Sequence, residues 1–331
     1  MSARILVTGA GGFVGLPLCE LLLELGGSLR AVVRSPNVQL EELATASSGR
    51  LEIVHASIEG AADWPALLAG IDRVAHLAAL VHMESGPSLE AYRAVNVAGT
   101  ERLALAAARS GVRRFVFLST AKVFGEQSAD HELTEADPPR PQDAYAISKW
   151  EAEQALNRIA ADTGIEVAIL RPPLVYGPGV KANFLRLIDT VARGLPLPLA
   201  SVNNRRSLLG VRNLVDALTC CLDDPRAAGE TFVVADPVSI STPDLIREIA
   251  AALHVPARLF PCPVRVLRAL ASRTGRGPAV ERLVGDLVVD AGKLSRTLGW
   301  TAPIPRAVGF ASAAAWYRER VRARQEHYLA R

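Results

Sequence analysis

Cysteine and long apolar runs are scarce in this sequence, and their scarcity excludes several classes of protein. Only four of the 331 residues are cysteine, which is too few for a disulfide framework in a chain of this length. They stand at positions 19, 220, 221 and 262, form no CxxC pair and match no metal-ligand spacing, so we expect no bound metal. No run approaches the ~18 uninterrupted apolar residues of a membrane-spanning helix, and no charged leader precedes an apolar segment at the N-terminus. We therefore expect a cytoplasmic protein with no membrane partner.

A marked excess of charge is also missing. There are 37 basic and 34 acidic residues, giving a formal net charge of +3, and the charges form no block, so we expect no nucleic-acid partner. Lysine occurs only at residues 122, 149, 181 and 293, and the other basic residues are arginine. Half of the residues are hydrophobic and the mean hydropathy is +0.20, which excludes a disordered chain.

Strand and helix patterns alternate along the first half of the sequence. Segments with the length and composition of buried strands lie at residues 4–8, 29–33, 51–55, 73–77, 114–119 and 166–170. Helical periodicity separates them, most clearly at residues 13–25, 89–110 and 144–162. Strands separated by helices of this length favour parallel pairing through right-handed crossovers. The sequence therefore predicts a doubly wound α/β sheet.

A glycine-rich turn joins the first strand to the first helix. Residues 8–15 read TGAGGFVG, and the glycines at 9, 12 and 15 allow a tight turn, close approach to a pyrophosphate and close helix–strand packing. The helix that follows supplies N–H donors for phosphates. Because the motif has this strand–turn–helix context, we interpret it as a dinucleotide site rather than a plain tight turn.

The regular alternation ends after residue 173. Proline and glycine become frequent, and from about residue 237 the pattern is mostly helical. Residues 208–211 and 231–234 still resemble strands. We predict a Rossmann domain over residues 1–175 and a smaller, mostly helical, substrate-binding domain over 176–331, with about 205–235 returning to the Rossmann sheet.

The end of the second strand bears on the choice between NAD and NADP. An acid at this point bonds the ribose 2′-hydroxyl of NAD, whereas an arginine accommodates the 2′-phosphate of NADP. Here Arg34 and Ser35 follow the strand, and there is no acid. We expect either NAD(H) or NADP(H), with NADP slightly favoured; the alternative is that Arg34 is only a solvent-exposed charge.

Tyr145 and Lys149 are four residues apart on a predicted helix, so they share one face. A free phenol has a pKa of ~10, and a nearby ammonium stabilises the phenolate, so we expect Lys149 to lower the pKa of Tyr145. Such a phenol can exchange a proton with a substrate while hydride moves to or from nicotinamide. Upstream, Ser119 and Thr120 end a buried strand, where a hydroxyl can bond the same substrate oxygen.

Taken together, these motifs resemble the extended short-chain dehydrogenase/reductase family, of the NAD-dependent epimerase/dehydratase type. The resemblance covers nearly the whole chain. It rests on TGAGGFVG at 8–15, HLAA at 76–79, NVAGT at 96–100, STAKVFG at 119–125, YAISK at 145–149, RP at 171–172 and VYGP at 175–178.

The resemblance implies roles for individual residues. Thr120, assisted by Ser119, would orient the substrate, Tyr145 would be the general acid/base, and Lys149 would bond the nicotinamide ribose and tune Tyr145. Asn96 would support the backbone of the active site. The cofactor would be lined by Gly9, Gly12, Phe13, Val14, Gly15, Arg34, Ser35, Ser57, Ile58, Leu77, Ala78, Ala79, Asn96, Tyr145, Lys149 and Pro172. Ser57 stands where an acid is expected to contact adenine.

Within the family the sequence is most similar to UDP-glucose 4-epimerase-like and UDP-4-keto-sugar reductase proteins. The likeness implies that Asn183 and Arg206 contact a nucleotide diphosphate and that Asp286 contacts its ribose. The alternatives are a helix cap, a strand-surface charge and a loop carboxylate, respectively.

Besides Ser57, four positions depart from the pattern of these enzymes. Leu174 replaces an asparagine near the diphosphate, and Leu283 replaces an arginine, although Arg282 is adjacent. Ala121 and Lys122 stand where 4,6-dehydratases carry an Asp–Glu pair, so we do not expect dehydration.

The function we favour from the sequence is NAD(P)-dependent hydride transfer at C4 of a UDP-linked sugar. We favour reduction of a UDP-4-keto-6-deoxy-hexosamine for surface-polysaccharide precursors, because the missing acid suits NADPH. The alternative is a UDP-glucose or UDP-N-acetylglucosamine 4-epimerase. A reductase of hydrophobic ketones and a non-catalytic dinucleotide sensor are less favoured. The likeness also implies a homodimer formed through the helices at 89–110 and 144–162.

Overall fold

The strands and helices follow the alternation expected from the sequence. The structure is a computed structural model that describes residues 3–60, 62–81, 87–128, 130–275 and 277–329. Its strands are β1 (Arg4–Thr8), β2 (Ser28–Val33), β3 (Leu51–His55), β4 (Arg73–His76), β5 (Arg114–Leu118), β6 (Glu166–Arg171), β7 (Leu174–Tyr176), β8 (Leu208–Gly210) and β9 (Thr231–Val233).

The α-helices cover both faces of the sheet and form most of the second half of the chain. They are α1 (Gly15–Glu24), α2 (Val38–Ala46), α3 (Trp64–Leu68), α4 (Leu89–Tyr92), α5 (Thr100–Arg109), α6 (Ala144–Thr163), α7 (Ala182–Ala192), α8 (Val211–Asp223), α9 (Thr242–Leu253), α10 (Val264–Arg273), α11 (Gly277–Val284), α12 (Gly292–Leu298) and α13 (Arg306–Leu329). Short 3₁₀ turns lie at Ala121–Phe124 and Pro225–Ala227. Within the described ranges, no helix is long and apolar enough to cross a membrane.

Seven strands form one parallel sheet in the order β3-β2-β1-β4-β5-β6-β9. The doubly wound sheet predicted from the sequence is therefore confirmed. The chain runs from β1 outward to β3 and then crosses to β4 on the other side of β1. The crevice between β1 and β4 is thus the topological switch point, where ligands bind in sheets of this kind.

Two apolar layers hold the helices against the sheet. Ile5 and Val7 of β1 belong to the layer that α1 and α8 cover, whereas Leu6 belongs to the layer that α5 and α6 cover. Alternate residues of a strand point to opposite faces, so a strand covered on both sides is apolar at successive positions. All three side chains are buried, which explains the short unbroken apolar runs in the sequence.

Two predicted elements differ from the observed ones. Residues 208–211 do not add a strand to the main sheet, because β8 pairs with β7 in a separate two-stranded parallel sheet. Only β9 returns to the edge of β6. The helix predicted at 89–110 is interrupted by a π-helix at Arg93–Gly99, which joins α4 to α5. The division into two domains near residue 175 stays a prediction.

The second half of the chain packs around an apolar cluster of its own. Phe184 on α7, Ile249 on α9 and Phe310 on α13 are buried members of it. Phe13, in the glycine-rich turn, packs against the same cluster. The cap formed by these helices therefore lies directly beside the switch point.

Candidate active site

The glycine-rich turn has the space and the donors that a diphosphate needs. Gly9 has a φ of +69°, and a Cβ there would lie 2.8 Å from the amide nitrogen of Ala78. At Gly15 a Cβ would lie 2.1 Å from the carbonyl oxygen of Gly9, which no real contact allows. Val14 is the N-cap of α1 and supplies no side-chain cap. The Leu16 amide donates to the carbonyl of Gly12 at 3.1 Å and Pro17 has no N–H, so the donors that this helix start can offer an anion come from the residues before Leu16. The turn therefore fits a dinucleotide.

The other predicted cofactor residues follow the C-terminal ends of the strands around this turn. Arg34 and Ser35 follow β2, Ser57 and Ile58 follow β3, Leu77, Ala78 and Ala79 follow β4, and Pro172 follows β6. Gly12 lies in the turn itself, where its amide donates to the carbonyl of Gly9 at 2.9 Å. Arg34 and Ser35 are exposed and are free to face a ribose.

His76 links this turn to the helix that carries Asn96. Its Nε2 lies 2.9 Å from the Thr100 hydroxyl, and that hydroxyl donates to the carbonyl of Asn96 at 2.7 Å. Because the hydroxyl proton of Thr100 is used there, Nε2 of His76 carries a proton and Nδ1 accepts from the hydroxyl of Thr8, at 2.7 Å. The Thr8 oxygen accepts the amide of Leu77 at 3.2 Å. Burial, assisted by the positive charge of Lys149, lowers the pKa of His76 to about 3, so the ring is neutral.

The side chain of Asn96 connects two parts of the site. Its Oδ1 accepts the amide of Leu80 at 2.8 Å, and its Nδ2 donates to the carbonyl of Leu80 at 3.0 Å and to the Ser148 hydroxyl at 2.9 Å. The Ser148 hydroxyl then donates to the carbonyl of Tyr145 at 2.8 Å. Asn96 thus fixes the segment after β4 to the first turns of α6.

Tyr145 and Lys149 both lie on α6, and Lys149 is the more deeply buried of the two. Tyr145 is partly buried, and its ring stands edge-on to that of Tyr92, with centroids 6.2 Å apart. Lys149 is 2 % exposed, and its Nζ lies 3.8 Å from the centroid of Phe117. Burial lowers the pKa of Lys149 to about 7, although the charge of Glu153 opposes this.

The pKa of Tyr145 moves in the direction opposite to the one expected from the sequence. Burial raises it, and the negative charge of Asp143 and the Tyr92 ring add to the rise. Lys149 is not among the charges that move the pKa of Tyr145, and burial lowers the pKa of Lys149 itself to about 7. Tyr145 is therefore a protonated phenol at neutral pH.

The two hydroxyls at the end of β5 have different surroundings. Ser119 is buried, and its hydroxyl donates to the carboxylate of Glu153. That carboxylate also forms a buried ion pair with Arg171, at 2.6 Å. Thr120 is the N-cap of the 3₁₀ turn, where its Oγ1 accepts the amide of Lys122 at 3.2 Å. Of the pair, Thr120 is the residue whose hydroxyl proton is free to meet a substrate oxygen.

Of the four predicted substrate residues, Arg206, Arg282 and Asp286 lie close together in the cap. Arg206 donates to the carbonyl of Gly285 at 3.1 Å, next to Asp286, and Asp286 accepts the amide of Arg205 at 2.7 Å. Burial lowers the pKa of Arg206, while the negative charges of Glu126 and Asp286 oppose the shift. Asn183 is exposed near the start of α7 and accepts a hydrogen bond from Arg186.

A chain of ion pairs joins these cap residues to α6. Arg282, the fourth predicted substrate residue with Arg206, Asp286 and Asn183, lies 3.6 Å from Glu126. Glu126 in turn pairs with the ammonium of Lys122 at 2.8 Å, and Lys122 also pairs with Asp143, the N-cap of α6. Among the residues that the structure describes, no group of three or more His, Cys, Asp or Glu side chains could hold a metal.

A dinucleotide turn at the switch point and a tyrosine–lysine pair beside it define a dinucleotide-dependent oxidoreductase. The model of the NAD dependent epimerase/dehydratase family matches residues 5–235. The chain therefore belongs to that family, as the sequence motifs predicted.

Individual relatives are similar over nearly their full length. UDP-glucose 4-epimerase of Vibrio cholerae is 38% identical over 320 residues, which is 95% of each chain. The structure of MoeE5 in complex with UDP-glucose and NAD is 25% identical, with a TM-score of 0.76 over 96% of this chain and 100% of that one. DesIV, a dTDP-glucose 4,6-dehydratase from Streptomyces venezuelae with NAD and TYD bound, is also 25% identical. Its TM-score is 0.78, over 96% of this chain and 97% of that one.

Sequence reasoning missed three features of the site. The sequence assigns no role to His76, because no pattern in it reveals the two hydroxyl partners of the ring. Glu153 was also missed, although it follows Tyr145 and Lys149 at four-residue intervals and so had to share their face of α6. The pairing of Lys122 with both Glu126 and Asp143 depends on the loop between β5 and α6, which sequence periodicity does not describe.

Proposed function

We propose that the protein is a UDP-hexose 4-epimerase, which inverts C4 of UDP-glucose or UDP-N-acetylglucosamine. The observation that carries this proposal is the 38% identity to the Vibrio cholerae UDP-glucose 4-epimerase along 95% of both chains. The relatives together support an NAD-dependent 4-epimerase or dehydratase of nucleotide sugars. Ala121 and Lys122 stand where dehydration needs two carboxylates, so they favour epimerisation.

The residues of the site suit this chemistry. Tyr145 exchanges a proton with the C4 oxygen, and the hydroxyl of Thr120 hydrogen-bonds the same oxygen and orients it. In this proposal Lys149 holds the nicotinamide ribose, and the glycine-rich turn holds the diphosphate of the dinucleotide. When bound, the oxidised nicotinamide supplies the hydride acceptor for C4 and a positive charge that lowers the pKa of a nearby phenol. Arg206 and Arg282 are available for the diphosphate of the sugar nucleotide.

A second candidate is the reduction of a UDP-4-keto-6-deoxy-hexosamine, the function favoured by the sequence. The observation in its favour is the exposed pair Arg34 and Ser35 after β2, where no carboxylate repels the 2′-phosphate of NADPH. A protonated Tyr145 also suits a proton donor. The complexes of MoeE5 and DesIV contain NAD, so the comparisons support the epimerase at least as well, and NADP preference remains a proposal.

The purified protein distinguishes the two candidates. We expect UDP-glucose, with no added cofactor, to give UDP-galactose, and Tyr145→Phe to slow this by about 10²–10⁴-fold, the usual contribution of a general acid/base. Oxidation of NADPH by a UDP-4-keto-6-deoxy-N-acetylhexosamine, without epimerisation of UDP-glucose or UDP-N-acetylglucosamine, would instead establish the reductase. Retained NAD binding with neither reaction would contradict both.

Two further expectations from the sequence remain proposals. A homodimer would form through α4, α5 and α6, and Leu105, 37% exposed on α5, offers it an apolar contact. Size-exclusion chromatography with light scattering tests this, since Leu105→Glu should yield monomers. A role in surface-polysaccharide synthesis requires that the UDP-sugar product feed a glycosyltransferase.

A further inference from the structure

The carboxylate of Glu153 on α6 is buried against the ends of two strands of the main sheet. It accepts the hydroxyl of Ser119, which follows β5, and it accepts three hydrogen bonds from Arg171, the last residue of β6. Nε of Arg171 lies 3.1 and 3.2 Å from the two carboxylate oxygens, and its Nη2 lies 2.6 Å from Oε2. Glu153 is 1% exposed and Arg171 is 5% exposed. Both carboxylate oxygens are therefore fixed inside the protein.

Arg171 makes the burial of this negative charge possible. Its guanidinium lies 4.9 Å from the centroid of the Phe124 ring and 5.6 Å from that of the Trp150 ring. An isolated charge is costly to bury, so a buried carboxylate needs a cation and further hydrogen bonds. The ion pair with Arg171 and the hydroxyl of Ser119 meet that need. A negative charge can therefore persist on this buried face of α6.

Lys149 lies on the same face of α6, one helical turn before Glu153. Residues four apart on a helix are neighbours, with Cβ atoms about 5–6 Å apart. Burial lowers the pKa of Lys149, and the negative charge of Glu153 opposes this shift. Three other groups face Lys149 without a negative charge at neutral pH: the Phe117 ring on β5 at 3.8 Å, the neutral ring of His76 on β4 and the protonated phenol of Tyr145. Among the described residues, it is the charge of Glu153 that supports the ammonium of Lys149.

We propose that Glu153 is a positioning residue for Lys149: held by Ser119 and Arg171, its carboxylate keeps a negative charge one helical turn from the ammonium. This inference rests on the proposed function, in which Lys149 holds the nicotinamide ribose. Without the charge of Glu153, Lys149 should lose its proton at lower pH and hold the ribose over a narrower pH range. One unit charge about 6 Å away, at an effective dielectric constant between about 20 and 40, corresponds to about one to two pKa units.

The test is the pH dependence of NADH binding to the full-length protein, followed by the fluorescence of the reduced nicotinamide. The reduced ring is neutral, so it adds no charge of its own next to Lys149. In the wild-type protein the affinity should fall as the pH rises and Lys149 loses its proton, and Lys149→Met should lack this step. Glu153→Gln should move the step about one to two pH units lower.

Two further variants separate this effect from a loss of stability. Glu153→Gln leaves the guanidinium of Arg171 buried without its carboxylate, so this protein should unfold at lower denaturant concentration. Glu153→Gln/Arg171→Met removes both charges and should recover stability, because apolar replacements of a buried pair are well tolerated, but its binding step should stay low. If Glu153→Gln does not fold, the double variant carries the test.

The matched control is Glu166→Gln. Glu166 pairs with the fully buried Arg114 at 2.7 Å, at the opposite ends of β5 and β6 from Ser119 and Arg171. Its loss should lower stability without moving the binding step.

The outcomes distinguish this inference from the proposed reaction. A lowered step in both Glu153 variants supports it even if UDP-glucose is not epimerised, because NADH binding needs no sugar substrate. A wild-type step that persists in Lys149→Met, or a step in Glu153→Gln within about 0.2 units of wild type, would overturn it. So would a double variant that regains the wild-type step together with its stability, or an equal shift in Glu166→Gln, because the effect would then come from the fold as a whole.

Discussion

Because Lys149 is buried, we expect this residue to lower the free energy of unfolding at neutral pH. Its side chain is 2 % exposed, and burial lowers its pKa from 10.5 to about 7. A group whose charged form is disfavoured in the folded state costs stability wherever the unfolded chain still holds the proton. The cost is full below the folded pKa of about 7. It declines as the pH rises toward the unfolded value of 10.5 and vanishes above it.

The magnitude follows from the shift. At about 1.4 kcal/mol per pKa unit, a shift from 10.5 to about 7 corresponds to an upper limit of about 5 kcal/mol, which is reached below pH 7. Relaxation of the surroundings and loss of the contact with Phe117 reduce the net value. We therefore expect Lys149→Met to raise the free energy of unfolding at pH 7 by about 2 kcal/mol. Glu153 keeps its ion pair with Arg171 in this variant, so no buried carboxylate is left unpaired.

Urea unfolding of the cofactor-free protein at pH 7, 8.5 and 10 measures this effect. The difference between Lys149→Met and wild type should be largest at pH 7 and small at pH 10. Lys293→Met, which removes a partly exposed ion pair with Glu230, should show no such pH dependence. The variant should also lose NAD affinity and activity, since stability and function oppose each other at this position. A Lys149→Met protein that is less stable than wild type at pH 7, or a difference that does not change with pH, would refute the reasoning.

Three further predictions concern the cofactor turn, the cap and the buried histidine. Gly15→Ala should abolish NAD binding and lower the thermal midpoint, because its Cβ would lie 2.1 Å from the carbonyl oxygen of Gly9; an unchanged midpoint and NAD Kd would contradict the crowding. Arg206→Ala should raise KM for a UDP-sugar by about 10–100-fold, the cost of a lost charge-assisted hydrogen bond, but leave the KM of an apolar ketone unchanged. An equal effect on both would exclude a diphosphate contact. His76 has a pKa of about 3 in the folded protein and 6.5 in the unfolded chain. The contribution of its neutral ring to the free energy of unfolding should therefore be full above pH 6.5 and should decline as the pH falls toward 3. Denaturant unfolding of His76→Gln should show a smaller decline over that range, and an identical decline would contradict it.

The sheet and the cofactor turn were accessible from sequence because they rest on local rules. The apolar runs at residues 4–8 and 51–55 coincide with β1 and β3, and the turn is a contiguous motif. The pairing of β8 could not be predicted, because the sequence of a three-residue strand does not show whether the strand joins the main sheet or pairs with a single strand outside it. Pro172 and Pro173 separate β6 from β7, and β8 pairs with β7 rather than with the main sheet.

The candidate site also contains features that the sequence predicts and features that it does not. Tyr145 and Lys149 are recognisable by a spacing within one helix, but their pKa shifts depend on burial, which spacing does not report. Arg206, Arg282 and Asp286 lie close together in the cap, whereas Asn183 accepts a hydrogen bond from Arg186 on its own helix; the roles that the resemblance implies for them stay predictions. Long-range contacts of this kind, such as those between Glu126 and the cap, arise from loops whose path the sequence alone does not determine.

The π-helix at Arg93–Gly99 makes the spacing between α4 and α5 unusually strict. A π-turn holds one residue more than the α-helical turn it replaces, so deleting Ala94 should let the segment close into continuous α-helix. Tyr92 would then rotate by about 100° relative to Asn96, the angle of one helical residue. Its ring would leave Tyr145 while Asn96 still held Leu80 and Ser148. The register of this helix, and not only its residue types, therefore determines the surroundings of Tyr145, the residue proposed to transfer the proton.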